Sequence, residues 1–115
     1  MRTRSAVASV TAAGALALAT VALVVPGTEA AATRTVKVDD YRFSPASITV
    51  RRGTTVRWVW VGSAAHDVEV VRGPSDFGSK VMSTGSYARR FTRKGTYRID
   101  CSLHAAVMRM TVKVR

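Results

Sequence analysis

Cys101, His104 and Met108 bring a thiol, an imidazole and a thioether into a span of eight residues. These are soft or borderline donors, and together they suit a redox-active transition metal. One thiolate and two imidazoles in a trigonal arrangement, with a weak axial thioether, make a site that Cu(I) and Cu(II) both tolerate, so electron transfer there needs little reorganisation. The second imidazole has to be His66, because the chain holds only two histidines. Zinc suits the set less well, since a thioether is a poor fourth donor for it.

Each residue has a plainer reading when taken singly. His66 alone would be an ordinary strand histidine, Cys101 a small buried hydrophobe and Met108 a filler of core space. The combination changes the balance, because it uses both histidines and the single cysteine at once. A lone cysteine in an exported chain also has no partner for a disulfide, and a metal is one answer to what occupies it.

Such a site has to be positioned by rigid elements. From Arg34 onward the chain alternates apolar and polar residues in short stretches between turn signals, with no apolar run at helical spacing. Strands are predicted over 35–38, 48–51, 55–60, 66–71, 86–92, 96–101 and 108–114. The segment 72–85, with its Gly, Pro and Ser, reads as a loop with room for one edge strand. This is an all-β pattern, and about seven to eight strands at this spacing imply a Greek-key sandwich of two sheets. Val56, Trp58 and Trp60 share one face and are assigned to the core. His66 is expected to begin a strand after the turn at 62–65, which places it at the same end of the sandwich as the loop leaving Cys101.

The first third of the chain differs in kind. Arg2 and Arg4 precede an apolar run over residues 5–25, and Pro26-Gly27 and small residues follow. This is the pattern of a secretory signal peptide over residues 1–32, with cleavage after Ala30 or Ala32. The other reading of the run is a retained membrane anchor, because it approaches the ~20 residues that span a bilayer. Export to the periplasm, the cell envelope or the medium is the corresponding expectation. The remaining domain, 33–115, keeps 16 of the 18 Lys and Arg and six of the seven acids. That balance favours anionic partners or surfaces, an acidic redox partner or a polyanionic envelope. Export argues against nucleic acid.

Over nearly all of 33–115 the chain resembles the cupredoxins of the plastocyanin, halocyanin and azurin group. The resemblance rests on Phe43-Ser44-Pro45, on 53–58 (GTTVRW), on Trp60-Val61-Gly62 leading to His66-Asp67-Val68, on Phe77-Gly78-Ser79, and on Gly95-Thr96-Tyr97 leading to Cys101. It implies one type 1 copper ion held by His66, Cys101, His104 and Met108. It further implies a non-enzymatic electron carrier that works as a monomer and docks redox partners at His104, Ala105, Ala106 and Val107. A copper carrier or storage protein is the alternative. The ligand loop is a hybrid, with a plastocyanin-like interval from Cys101 to His104 and an azurin-like interval from His104 to Met108. Met110 stands where relatives have glycine, and loop reach and register favour Met108 over it as the axial donor. Asp67 stands where relatives often have asparagine. Its amide is expected near the Cys101 sulfur and its carboxylate near the Ser102 hydroxyl, to tune the metal. Asp100 replaces the aromatic residue that many relatives carry before the cysteine, which leaves the His104 edge as the better route for electrons.

Overall fold

The computed structural model describes residues 32–115. The leader reading and its cleavage point lie outside the described residues. Eight strands follow in order: β1 (Thr33–Asp39), β2 (Arg42–Ser44), β3 (Ser47–Val50), β4 (Thr55–Trp60), β5 (Glu69–Arg72), β6 (Ser86–Arg90), β7 (Gly95–Asp100) and β8 (Arg109–Val114). They form two four-stranded sheets, ordered β2-β1-β4-β6 and β3-β8-β7-β5.

Alternation accounts for which face each strand buries. Val36 and Val38 of β1, Val56, Trp58 and Trp60 of β4, Tyr97 and Ile99 of β7, and Met110, Val112 and Val114 of β8 all point into one shared core. Trp58 is wholly buried, and its indole N–H donates to the Met110 sulfur at 3.3 Å, so its one polar atom has a partner. Truncating a buried tryptophan costs about 3–5 kcal/mol, which makes Trp58 a principal anchor between the sheets.

The directions of the strands decide where the chemistry sits. β1 and β4 run parallel, with Thr33 opposite Thr55 and Val38 opposite Trp60. β7 runs antiparallel to β8, with Asp100 opposite Arg109. The ends of β1, β4 and β7 and the start of β8 therefore gather at one pole, and Asp40, His66, Cys101 and Met108 follow or precede those strand ends.

Two expectations are corrected. His66 does not begin a strand: it makes an isolated bridge to Met82, and the strand starts three residues later at Glu69. Asp67 is buried and its side chain is bonded to Ser102, which diverts the chain from the sheet edge at that point. Beyond Arg72, where β5 ends, the segment to Gly85 contributes no strand, only the bridges Glu69–Gly78 and His66–Met82. A short strand at Arg42–Ser44, unpredicted, closes a hairpin with β1 in which Asp39 faces Arg42.

Candidate metal centre

Cys101 follows the last residue of β7, and a single 3-10 turn, Ser102–His104, carries the chain around to His104. This loop is closed by its own backbone. The Cys101 amide donates to the Met108 carbonyl at 3.0 Å, the Cys101 carbonyl accepts from the His104 amide at 3.0 Å, and the His104 carbonyl accepts from the amides of Val107 and Met108 at 3.0 and 2.9 Å. Arg109 Nε adds a bond to the Ala105 carbonyl at 2.7 Å. Small residues in the middle, Ala105 and Ala106, let the loop fold this tightly.

His66 is held from the other side. It exchanges two backbone hydrogen bonds with Met82, both 2.9 Å, and its carbonyl also accepts from the Trp60 indole at 3.2 Å. Ser79 fixes the chain just beyond, donating its amide to the Val68 carbonyl and accepting the Val68 amide on its hydroxyl at 2.9 Å. Trp60, read as core, thus also tethers a candidate ligand.

These supports bring the three donors together. The Cys101 sulfur lies 3.9 Å from Nδ1 of His66 and 3.6 Å from Nδ1 of His104, and one donor atom of each residue lies within 4.8 Å of the others. Cys101 and His66 are wholly buried, whereas His104 is half-buried and reaches the surface. Two imidazole nitrogens and a thiol facing a common point fit a single copper ion. Met108 is wholly buried beside this loop, and the Met110 sulfur is engaged with the Trp58 indole.

Asp67 sits between the two ligand-bearing segments. Its carboxylate accepts the Ser102 hydroxyl and the Ser102 amide, both at 2.6 Å. Among the described residues the Asp67 amide makes no hydrogen bond to the Cys101 sulfur, which is approached by the two ring nitrogens instead. Asp100, next to the thiol, is buried; its Oδ1 makes no hydrogen bond and has the Arg98 guanidinium 3.6 Å away.

The β1–β2 turn supplies two residues that the sequence reading passed over. Asp40 accepts the amides of Ser63 and Ala64, at 3.0 and 2.8 Å, and it lies 3.0 Å from Nε2 of His66. The Ala64 amide first, then the Ser63 amide and the His66 ring, hold its carboxyl down at about 2. An ionised carboxylate can only accept, so Nε2 of His66 carries a proton, and in the neutral ring that leaves Nδ1 with its lone pair toward Cys101. With a folded value below the ordinary 3.8, this attachment stabilises the fold above that pH and is lost as pH falls toward about 2. Tyr41, next in the turn, stands edge-on to His104 at 4.9 Å and to His66 at 6.0 Å between ring centroids. It adopts a left-handed backbone, φ 67°, which is uncommon for a bulky residue. The hairpin thus places a carboxylate behind one ring and a phenol beside the other.

Gly62 makes room for that turn. A Cβ at this position would come within 2.8 Å of the Asp40 backbone nitrogen. Gly62→Ala is expected to push the turn off His66 and to cost about 1–3 kcal/mol, as overpacking does. Thermal unfolding of the metal-free protein checks it, and a melt unchanged from the parent would refute it.

A family model for copper binding proteins of the plastocyanin/azurin family matches residues 30–115. Among solved structures, the chain is similar to an amicyanin variant in its reduced state at 26% identity and a TM-score of 0.65, over 72% of this chain and 82% of that one. A purple cupredoxin from Nitrosopumilus maritimus shares the fold at 23% identity and a TM-score of 0.64, over 71% of this chain and 99% of that one. A copper-resistant cuproprotein, CopI, from Rubrivivax gelatinosus is 51% identical over 51 residues, which is 42% of this chain and 31% of that protein. With its sandwich, its loop after β7 and its sulfur-and-imidazole cluster, this chain belongs to the plastocyanin/azurin family of copper binding proteins.

Proposed function

We propose that this chain is an exported one-electron carrier, with a single copper held by His66, Cys101 and His104 and capped by Met108. The observation that carries the reading is the convergence of one thiol and two ring nitrogens within 4.8 Å, two of them on fully buried side chains. Bound there, copper supplies the Cu(I)/Cu(II) couple. The protein's own residues do the rest: backbone bonds at Cys101, His104 and Met108 and the Asp40–His66 contact keep the donors fixed, so little has to move between oxidation states. The role is that of a carrier and not of a catalyst.

His104 is the donor nearest the surface, and it is ringed by Tyr41, Leu103 and Val107, which are 54%, 48% and 68% exposed. A small apolar rim of this kind lets a redox partner approach the imidazole edge closely. Val107→Glu is expected to slow electron self-exchange roughly tenfold by placing like charges face to face, with an unchanged visible spectrum. NMR line broadening in mixtures of the two oxidation states measures it, and an unchanged rate would remove the rim from the docking surface.

A second reading, a copper carrier or storage protein without a redox shuttle, is supported by the partial likeness to the copper-resistant cuproprotein. Buried thiolate-centred donors suit retention better than handover. Voltammetry separates the two. A reversible one-electron wave with intense visible colour supports the electron carrier, and colourless, tight Cu(I) binding with no reversible wave supports the other.

A further inference from the structure

The pole opposite the candidate metal centre is built from the start of β1, the end of β3, the start of β4, the end of β6, the start of β7 and the end of β8. Register places them together: Thr33 faces Thr55, Thr55 faces Arg90, Val50 faces Val114 and Gly95 faces Val114. Arg51, Arg52, Arg90, Arg93, Lys94 and Arg115 sit on the turns and strand ends of this pole, and all six are exposed. Arg51, Arg52, Lys94 and Arg115 line one open concavity. The Arg52 amide bonds the Arg115 carbonyl at 2.9 Å, and Arg90 Nε bonds the Gly53 carbonyl at 3.3 Å, so two of these side chains grow from fixed backbone and a third is pinned across the turn.

Five of the six acids of residues 33–115 lie elsewhere. Asp39, Asp40, Asp67, Glu69 and Asp100 belong to the metal pole or to the strand ends that lead into it; Asp76, the last acid of residues 33–115, is in the loop after β5, next to Ser75, whose hydroxyl lies 3.2 Å from that of Tyr97 on the basic side. The domain is therefore electrically lopsided along its strands. Over the six residues of β4, a run of about 20 Å at the usual strand rise, it passes from an end where six bases are accompanied by one acid, Asp76, to an end where acids outnumber bases. A single-sign concavity of this kind raises the local concentration of counter-charge and orients the molecule on approach.

We infer that this basic pole is a docking surface for an anionic phospholipid bilayer. Two features select that partner. Five of the six cations are arginine, whose planar fork pairs with phosphate oxygens through two parallel hydrogen bonds, a geometry that lysine lacks. The polypeptide also enters the domain at this pole: the Ala32 carbonyl accepts the Thr55 amide at 2.9 Å, immediately after the segment that carries the apolar run at 5–25. If the leader stays attached, the arginines are a juxtamembrane basic cluster of the kind that anionic leaflets attract. If it is removed, the new ammonium group adds to the same face. In either case the bilayer is met by the end of the domain opposite the metal centre, and the His104 rim faces outward to partners. The inference does not depend on copper, and the metal-free and copper-loaded proteins are expected to behave alike.

The test is co-sedimentation of the full chain with vesicles of equal parts phosphatidylglycerol and phosphatidylcholine, against phosphatidylcholine alone, so that any contribution of the apolar run appears in both. Binding to the anionic vesicles is expected to be stronger and to weaken with added salt. A triple variant, Arg51→Gln, Arg52→Gln and Lys94→Gln, is expected to bind about 100-fold more weakly, at roughly fivefold per basic residue near such a surface. A charge-matched control, Lys37→Gln, Arg57→Gln and Lys80→Gln, alters exposed positions outside this pole and is expected to bind as the parent does. Thermal melts of both variants establish that they are folded. Equal weakening of the two variants, or no preference for anionic vesicles, would overturn the inference. So would displacement by a few millimolar inorganic phosphate at constant ionic strength, which would make the cluster a site for small anions.

Discussion

Cys101→Ser is expected to abolish the visible colour that Cu(II) gives with the parent protein and to weaken copper binding by several orders of magnitude. The hydroxyl that replaces the thiol is nearly the same shape, but it is a harder donor and does not ionise near neutral pH, so the soft anionic member of the set disappears. Cys101 is wholly buried, and an unpartnered hydroxyl in its place costs about 1–3 kcal/mol of stability. The metal-free variant therefore still folds, and the loss reports on the donor itself. Absorption spectra during Cu(II) titration, with a thermal melt of the same sample, check the expectation. Retention of the colour by the serine variant would mean that another group holds the metal.

The second large effect is at Asp40. Removing this carboxylate in Asp40→Ala leaves Nε2 of His66 and the Ser63 and Ala64 amides without their shared acceptor. The ring loses the contact that sets its tautomer, and an outer partner of this kind is worth about 10- to 100-fold in metal affinity. A negative charge behind a ligand also favours the more positive oxidation state, so its loss is expected to raise the reduction potential. Asp40→Asn separates the two contributions: an amide oxygen still accepts from the ring, and affinity is expected to recover substantially, but the charge is gone and the potential stays high. Nitrogen NMR of the His66 ring in metal-free protein reads the tautomer without any metal present. If Asp40→Ala shows the same ring tautomer and the same affinity as the parent, Asp40 has no positioning role.

These two residues differ in how far they could be read from the chain. Cys101, His104 and His66 were legible because the chain has so few donors of their kind that the inventory itself brings them together. The alternation at 55–60 and 109–114 likewise carried the two sheets, since a period of two is visible in a short window. Asp40 was not legible, because its contact with His66 depends on β1 running parallel to β4, a pairing between strands whose register no local pattern encodes. The available signal was smaller: Asp39-Asp40 is turn chemistry between Val38 and Phe43, and reading it as a hairpin would have carried Asp40 and Tyr41 to the pole where β4 ends.

The strand expected from His66 failed for a related reason. Local pattern extends 66–71 as one run, but the side chain of Asp67 is taken up by Ser102 across the molecule, and pairing with β7 starts only at Glu69. The pairing of Asp67 with Ser102 came from the resemblance to the cupredoxins, and the 2.6 Å contacts are those of the Asp67 carboxylate with the Ser102 amide and hydroxyl. The charge asymmetry had the same obstacle. Sixteen cations are spread along 33–115, and only the strand directions reveal that six of them crowd one end.

On the proposed reading, a sulfur and two ring nitrogens from His66, Cys101 and His104 hold one copper ion. X-ray absorption at the copper edge, on protein loaded with one equivalent, tests it most directly. One short sulfur neighbour and two imidazole nitrogens are expected around the metal, with the sulfur signal missing in Cys101→Ser. A copper shell made of nitrogen and oxygen alone, or a spectrum identical in the serine variant, would contradict it.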